Sequence, residues 1–256
     1  MKILSVGDLI GEIGLNKARE TIEKIRKEEN IDFIIVNGEN VAEGMGITLK
    51  NFNTIISMGA NVVTMGNHTW AKKDIFNFID NEKLIRPANY PEGVPGKGYV
   101  VCKCKSKKIA VINLIGRTEM GIATENPFII GKNIAEELKK EVDIIVVDFH
   151  AEATAEKIAM GNYLDGIATI VYGTHTHVQT ADDRILPEGT AYITDIGMTG
   201  PKNSVIGMDI NASLKRFVTT LPERYKMATG ECIFNGCIFD INDETCQVNK
   251  ITRLYL

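Results

Sequence analysis

The amino-acid sequence predicts an α/β fold of mixed β-sheets flanked by helices. Short runs rich in Val and Ile recur along the chain with amphipathic stretches between them, the pattern of strands alternating with helices. The runs lack polar alternation, so they read as central strands buried on both faces. The chain also closes on two strand-like runs with no helix between them, which makes the sheet mixed rather than wholly parallel.

Taken in order, residues 2–6 form the first strand, 15–29 a helix and 33–36 the second strand. A helix follows over 48–58, where the Thr48 hydroxyl can cap an orphan N–H. Residues 61–65 read as a strand and 72–81 as a helix. Runs 99–105 and 108–114, joined through Lys105-Ser106-Lys107, read as a hairpin. Helices over 132–141 and 154–160 alternate with strands over 143–149 and 167–172; a strand at 191–194 and a helix at 211–219 follow. Runs 231–241 and 247–256 form an antiparallel hairpin across Asn242-Asp243-Glu244. No repeat, low-complexity tract or linker divides the chain, so residues 1–256 read as a single domain.

Composition narrows the function. The 256 residues carry 29 Lys+Arg against 33 Asp+Glu, a net charge of -4, which excludes a basic coat for nucleic acid. With 44% hydrophobic and 24% charged residues the chain can bury a sizeable core, and disorder and collagen are excluded. Five scattered cysteines, an odd number, are no disulfide framework and fit a reducing compartment. The first apolar run breaks at Gly7-Asp8, too early for a signal peptide, and no run approaches the ~18 apolar residues of a membrane span. The expectation is a cytoplasmic protein with no membrane partner.

The polar residues are placed unevenly. Val6 leads into Gly7-Asp8, Val36 into Asn37-Gly38-Glu39-Asn40, and Met65 into Gly66-Asn67-His68. Phe149 leads into His150, and Tyr172 into Gly173-Thr174-His175-Thr176-His177. Sites in open α/β sheets form outside the carboxyl ends of strands, so five strand ends can meet at one place. All four histidines of the chain lie in this set, where isolated histidines would scatter through core and surface. Carboxylate, amide oxygen and imidazole together, without thiolate, suit Mn, Fe, Co or Zn. The candidate ligands are too many for one tetrahedral ion. Two ions ~3.5 to 4 Å apart, bridged by one carboxylate, would use them all and clamp both oxygens of a phosphoryl displacement.

These five motifs, in this order, resemble the successive motifs of calcineurin-like metallophosphoesterases, and the likeness covers most of the chain. Two departures are specific. The usual Asp-x-His is Asp8-Leu9-Ile10 here, and Glu39 stands where the second motif has aspartate. With Glu39-Asn40 and the segment Asp195-Ile196-Gly197-Met198-Thr199-Gly200-Pro201, they resemble the bacterial YmdB-type branch from end to end. The resemblance implies an α/β sandwich and a dinuclear site of Fe or Mn, with Zn or Co as alternatives. In it Glu39 bridges, Asp8 and His177 complete the first metal site, and Asn67, His150 and His175 complete the second. Asn40 would replace the missing histidine of the first motif, and His68 would protonate the leaving oxygen rather than bind metal. A metal-bridging hydroxide would attack phosphorus, and the substrates implied are small phosphodiesters, with 2',3'-cyclic nucleotides foremost, not duplex nucleic acid. A homo-oligomer is compatible with this reading.

Two other classes compete. A regulatory protein could bind metal or nucleotide without turnover, but it would have no use for an uncoordinated His68. An amidohydrolase would place His-x-His on an early strand, and His175-x-His177 comes late. Several further residues carry weaker expectations. Loop 43–48 could face an anion through its N–H groups or be a plain turn. Arg117 could grip phosphate or sit in a surface ion pair. Trp70 could wall the site or cap a nearby helix, and residues 197–201 could line the pocket or a subunit contact. Lys103-Cys104-Lys105-Ser106-Lys107-Lys108 reads as a solvated turn and the cysteines as small buried hydrophobes.

Overall fold

The computed structural model describes residues 1–256. In chain order its strands are β1 (Lys2–Val6), β2 (Asp8–Leu9), β3 (Phe33–Asn37), β4 (Val62–Thr64), β5 (Leu84–Ile85), β6 (Tyr99–Cys104), β7 (Lys107–Ile115), β8 (Ile144–His150), β9 (Ile170–Thr174), β10 (Arg184–Ile185), β11 (Ala191–Ile193), β12 (Met198–Pro201), β13 (Cys232–Ile233), β14 (Asn235–Ile241) and β15 (Val248–Tyr255). The helices are α1 (Gly11–Glu28), α2 (Leu49–Ser57), α3 (Pro127–Leu138), α4 (Thr154–Tyr163) and α5 (Ile210–Thr219), with a 3-10 turn over Lys73–Asn77.

Two six-stranded mixed sheets form, in the orders β15-β14-β1-β3-β4-β5 and β10-β11-β9-β8-β7-β6, and β13-β12-β2 makes a third, small one. Strands β1, β3 and β4 are parallel to one another, as are β7, β8, β9 and β11, so within each set the carboxyl ends open on one side. Alternation along β1 and β3 divides their side chains. Ile3, Phe33 and Ile35 face the other sheet, where they meet Val111, Val146 and Tyr172. Leu4, Val6, Ile34 and Val36 face outward and are covered by Leu15, Ile22 and Ile25 of α1 and Phe52 and Ile55 of α2. The second sheet's outer face, with Ile112, Val147 and Phe149, is covered by Ala135 and Leu138 of α3 and Met160 of α4. The result is helix, sheet, sheet, helix, the expected sandwich.

Thr48 caps α2 as predicted: its hydroxyl accepts from the Asn51 N–H, and the Asn51 side chain returns the bond to the Thr48 N–H. Both hairpins form, β6 with β7 and β14 with β15. Several boundaries differ. Residues 72–81 are only the short 3-10 turn, because Asp74, Asn77 and Asp80 spend their side chains on nearby groups, including the Leu49 N–H, the Asp74 carboxylate and the Gly96 N–H. The apolar spacing of Ile75 and Phe78 serves that tighter turn as well as it would a helix. Helix α3 starts at Pro127, with Asn126 capping the Phe128 N–H, rather than at residue 132. Helix α1 begins at Gly11 rather than residue 15, held by packing on β12 against its weak propensity. The run 231–241 breaks at Phe234, and its first part, β13, joins β12 in the small sheet.

Candidate active site

The five strand ends meet. Asp8 begins β2, one residue beyond β1, and pairs beside Met198 of β12. Glu39 and Asn40 follow β3, Asn67 and His68 follow β4, His150 ends β8, and His175 and His177 follow β9. Asp8, Glu39, Asn40 and His150 are buried.

Two groups of donors form around Glu39. In the first, His150 Nε2 lies 2.9 Å from Asn67 Oδ1, 3.1 Å from Glu39 Oε1 and 3.0 Å from His175 Nδ1. One ring nitrogen carries at most one proton, yet three lone-pair atoms crowd it, so this cluster needs positive charge at its centre. Glu39, His150 and His175 lie close enough together to hold one metal ion. The turn at Gly66 permits this, because a Cβ there would overlap His150 and the Glu39 carboxylate. In the second group His177 Nε2 stands 3.8 Å from Asp8 Oδ1. The Asn40 amide nitrogen lies between them, 3.1 Å from His177 Nε2, 3.5 Å from Asp8 Oδ1 and 3.0 Å from Glu39 Oε1. Asn40 is thus brought into the site, but as a donor; ligation would require its amide to turn oxygen-first. Every donor is oxygen or imidazole nitrogen, a set that fits cations of the hard-to-borderline class.

His68 adjoins both groups through Asn40 and Glu39. Its Nδ1 is 2.6 Å from the Asn40 side-chain oxygen Oδ1 and 3.4 Å from Glu39 Oε1, while its backbone N–H donates to Glu39 Oε2. Nε2 has no protein partner, and the half-buried ring lines a cavity of about 330 Å³. Beside His68, His175 and His177, the opposite wall of that cavity carries Ile206, Phe217, Arg224 and Tyr225, from α5 and its flanks.

Residues that sequence patterns did not single out orient the ligand candidates. Thr174 Oγ1 donates to Asp148 Oδ1 at 2.8 Å, so it must accept from His150 Nδ1, also 2.8 Å away. That bond keeps a proton on Nδ1 and turns Nε2 into the site. Glu152, two residues beyond His150, places Oε2 3.2 Å from His175 Nε2. Other expectations resolve differently. Loop 43–48 is a tight turn whose Met45 and Gly46 N–H groups are spent on the Ala42 and Glu39 carbonyls. Arg117 is exposed, makes no ion pair and does not line the cavity. Trp70 stacks on Phe76 and packs edge-on to Tyr90, whose hydroxyl donates to the Gly66 carbonyl, so it backs the motif from outside. Residues 198–201 are buried as β12 and position Asp8.

Burial raises the Asp8 carboxyl above its ordinary value against the pull of His177 and His150. Burial works on Glu39 as well, but the charge and hydrogen bonds of His150 and His68 outweigh it and hold Glu39 well below the usual carboxylate range. His150 is pulled down by burial, yet Glu39, Asp8 and Asp148 raise it to about 9. His175 is lowered to about 3 by burial and by the neighbouring His150 charge. At neutral pH His150 therefore carries a proton, which a cation bound through its Nε2 would have to displace. Apparent Mn2+ affinity is expected to rise about tenfold per pH unit from 7 to 9 and to level off above, with about one proton released per ion bound there. Calorimetric titration in buffers of differing ionisation enthalpy measures both quantities; an affinity flat across that window would contradict it.

The model of the family described as YmdB-like protein matches residues 4–254 of the chain. A relative from Bacillus subtilis (strain 168), named 2',3'-cyclic-nucleotide 2'-phosphodiesterase, is 49% identical over 100% of this chain and 97% of its own. A crystal structure of a protein from Mycoplasma pneumoniae, described as a novel phosphatase, superposes with a TM-score of 0.94 at 36% identity, covering 100% of this chain and 93% of that one. The Haemophilus influenzae NAD nucleotidase shares the fold, with a TM-score of 0.60 at 12% identity, covering 100% of this chain and 56% of that one.

Proposed function

The chain belongs to the YmdB-like protein family, and from that membership and the geometry of its cleft we propose that it is a phosphodiesterase hydrolysing small phosphate diesters, 2',3'-cyclic nucleotides foremost, at a two-metal centre. The observation that carries the reading is that Glu39 is shared by two donor groups, both opening on the cavity that His68 lines. Glu39 would serve both ions; Asp8, Asn40 and His177 would hold one, and Asn67, His150 and His175 the other. Fe or Mn suits this set best, with Zn and Co as alternatives. When bound, such a pair makes a nucleophile available near neutral pH and neutralises charge at phosphorus.

The remaining work falls to the chain itself. His68, held by its backbone N–H on the Glu39 carboxylate, presents Nε2 to the cavity and delivers a proton from it to the leaving ester oxygen. Ile206, Phe217 and Tyr225 offer apolar surface to a nucleoside and exclude water beside the reacting phosphate. A cavity of about 330 Å³ suits a mononucleotide. In this reading all 256 residues act as one domain, and the free thiols suit a reducing cytoplasm. No helix is long and apolar enough to cross a membrane.

Elemental analysis after anaerobic purification, combined with turnover of a 2',3'-cyclic nucleotide, an aryl phosphodiester and duplex DNA, tests the proposal. The expected result is two transition-metal ions per chain and turnover of the small diesters in preference to the duplex, for which a chain of net charge -4 has no electrostatic funnel. One ion or fewer at full occupancy would remove the dinuclear centre. Efficient cleavage of duplex with small diesters ignored would remove the substrate class.

A further inference from the structure

The loop that carries His175 and His177 is strained. Both residues sit in the left-handed region, His175 at φ 100° and His177 at φ 66°, which side chains other than glycine rarely adopt. Such conformations persist where surrounding contacts over-determine them. The residue between the two supplies the contact. The Thr176 N–H donates to Asp195 Oδ2 at 3.2 Å and the Thr176 hydroxyl donates to the same oxygen at 2.7 Å.

Asp195 is fully buried, and so is its counter-ion. Lys157, on α4, is 1% exposed and places Nζ 2.6 Å from Asp195 Oδ2. The other carboxylate oxygen accepts the Gly197 N–H at 2.8 Å. The lysine reaches this position because Gly173 leaves room for its stem: a Cβ there would come within 2.8 Å of Lys157 Cδ. A charged hydrogen bond between buried partners is stronger and more directional than a neutral one, and here its acceptor grips the midpoint of the strained loop. Neither Lys157 nor Asp195 lines the cavity.

We propose that the buried Lys157–Asp195 pair is a positioning clamp that holds His175 and His177 in their ligating arrangement through Thr176, and so sets the affinity of the site for metal. The proposal rests on the metal-binding reading of those two histidines. Lys157 fixes the carboxylate, the carboxylate fixes Thr176, and Thr176 fixes the backbone on either side. Partners of this kind behind a ligand are worth about 10- to 100-fold in metal affinity.

The test uses the full chain, stripped with chelator, and reads Mn2+ affinity by calorimetry alongside thermal unfolding of the metal-free protein. Asp195→Asn and Lys157→Met should each weaken Mn2+ binding by about 10- to 100-fold. The double variant Lys157→Met/Asp195→Asn, which leaves no unpaired buried charge, should recover thermal stability while its Mn2+ affinity stays weak. Thr176→Val, which removes the hydroxyl donor but keeps the Lys157–Asp195 ion pair, should weaken binding in the same direction with a smaller loss of thermal stability than either single charge variant. Unchanged affinity in Thr176→Val, or affinity returning together with stability in the double variant, would overturn the clamp and leave a merely structural ion pair. Wild-type protein that takes up no Mn2+ would bring down the metal reading, and the clamp with it.

Discussion

Glu39→Gln is expected to leave the chain folded with at most one tightly held ion and to lower turnover of small diesters by at least about 10³-fold, since the charge stabilisation a metal supplies is worth several kcal/mol. Its carboxylate is the group common to both donor clusters, 3.1 Å from His150 Nε2 on one side and 3.0 Å from the Asn40 amide on the other. A glutamine keeps the size but offers one neutral oxygen, so it cannot bridge two cations and cannot balance their charge. It also cannot accept equally from His150 and from the His68 N–H, which now reach the two oxygens of one carboxylate. Metal per chain by elemental analysis, with circular dichroism as the check on folding, decides the matter. A variant that retained two ions would place the bridge elsewhere.

His68→Ala should separate chemistry from metal binding. The loss expected in kcat toward 2',3'-cyclic nucleotides is about 10² to 10⁴, the usual contribution of a positioned general acid, with metal content unchanged. Geometry supports the separation. Asn67 and His68 are adjacent in sequence, yet Asn67 turns its oxygen to His150 while His68 turns Nδ1 to Asn40 and leaves Nε2 to the cavity. The penalty should shrink for a p-nitrophenyl diester, because a stable leaving anion needs little protonation. Comparing a poor and a good leaving group, with metal content measured on the same samples, tests both halves. Loss of a metal equivalent would make His68 a ligand. A penalty independent of the leaving group would assign it transition-state stabilisation without proton transfer.

The site candidates were legible because of where polar residues can stand relative to buried parallel strands. A strand covered on both faces tolerates almost no polar side chain along its length, so Asp8, Glu39, Asn67, His150 and His175 at successive strand ends are conspicuous in one dimension. Helix α2 was legible for a similarly local reason, since Thr48 and its partner Asn51 are three residues apart. Where side chains bond to another segment of the chain, the same reading went astray. The spacing of Ile75, Phe78 and Ile79 fits a helix, but Asp74 and Asp80 bind the Leu49 and Gly96 N–H groups, on segments that periodicity does not connect to them.

By itself the sequence determined the alternation of strands and helices, the two hairpins, and the side of the sheets on which the functional side chains gather, because each follows from burial periodicity and capping within a few residues. Only the tertiary structure decided how those side chains are oriented. The fold brings Lys157 of a helix to Asp195, 38 positions away, and sets Asp148 of a strand to accept from Thr64 of the opposite sheet, 84 positions away. Arg117 reads equally as a phosphate ligand or a partner in a surface ion pair until the fold leaves it exposed outside the cavity wall. The reason is physical: periodicity records which face of an element is dry, whereas hydrogen bonds and buried charges are satisfied by whatever another element supplies when sheet packs on sheet.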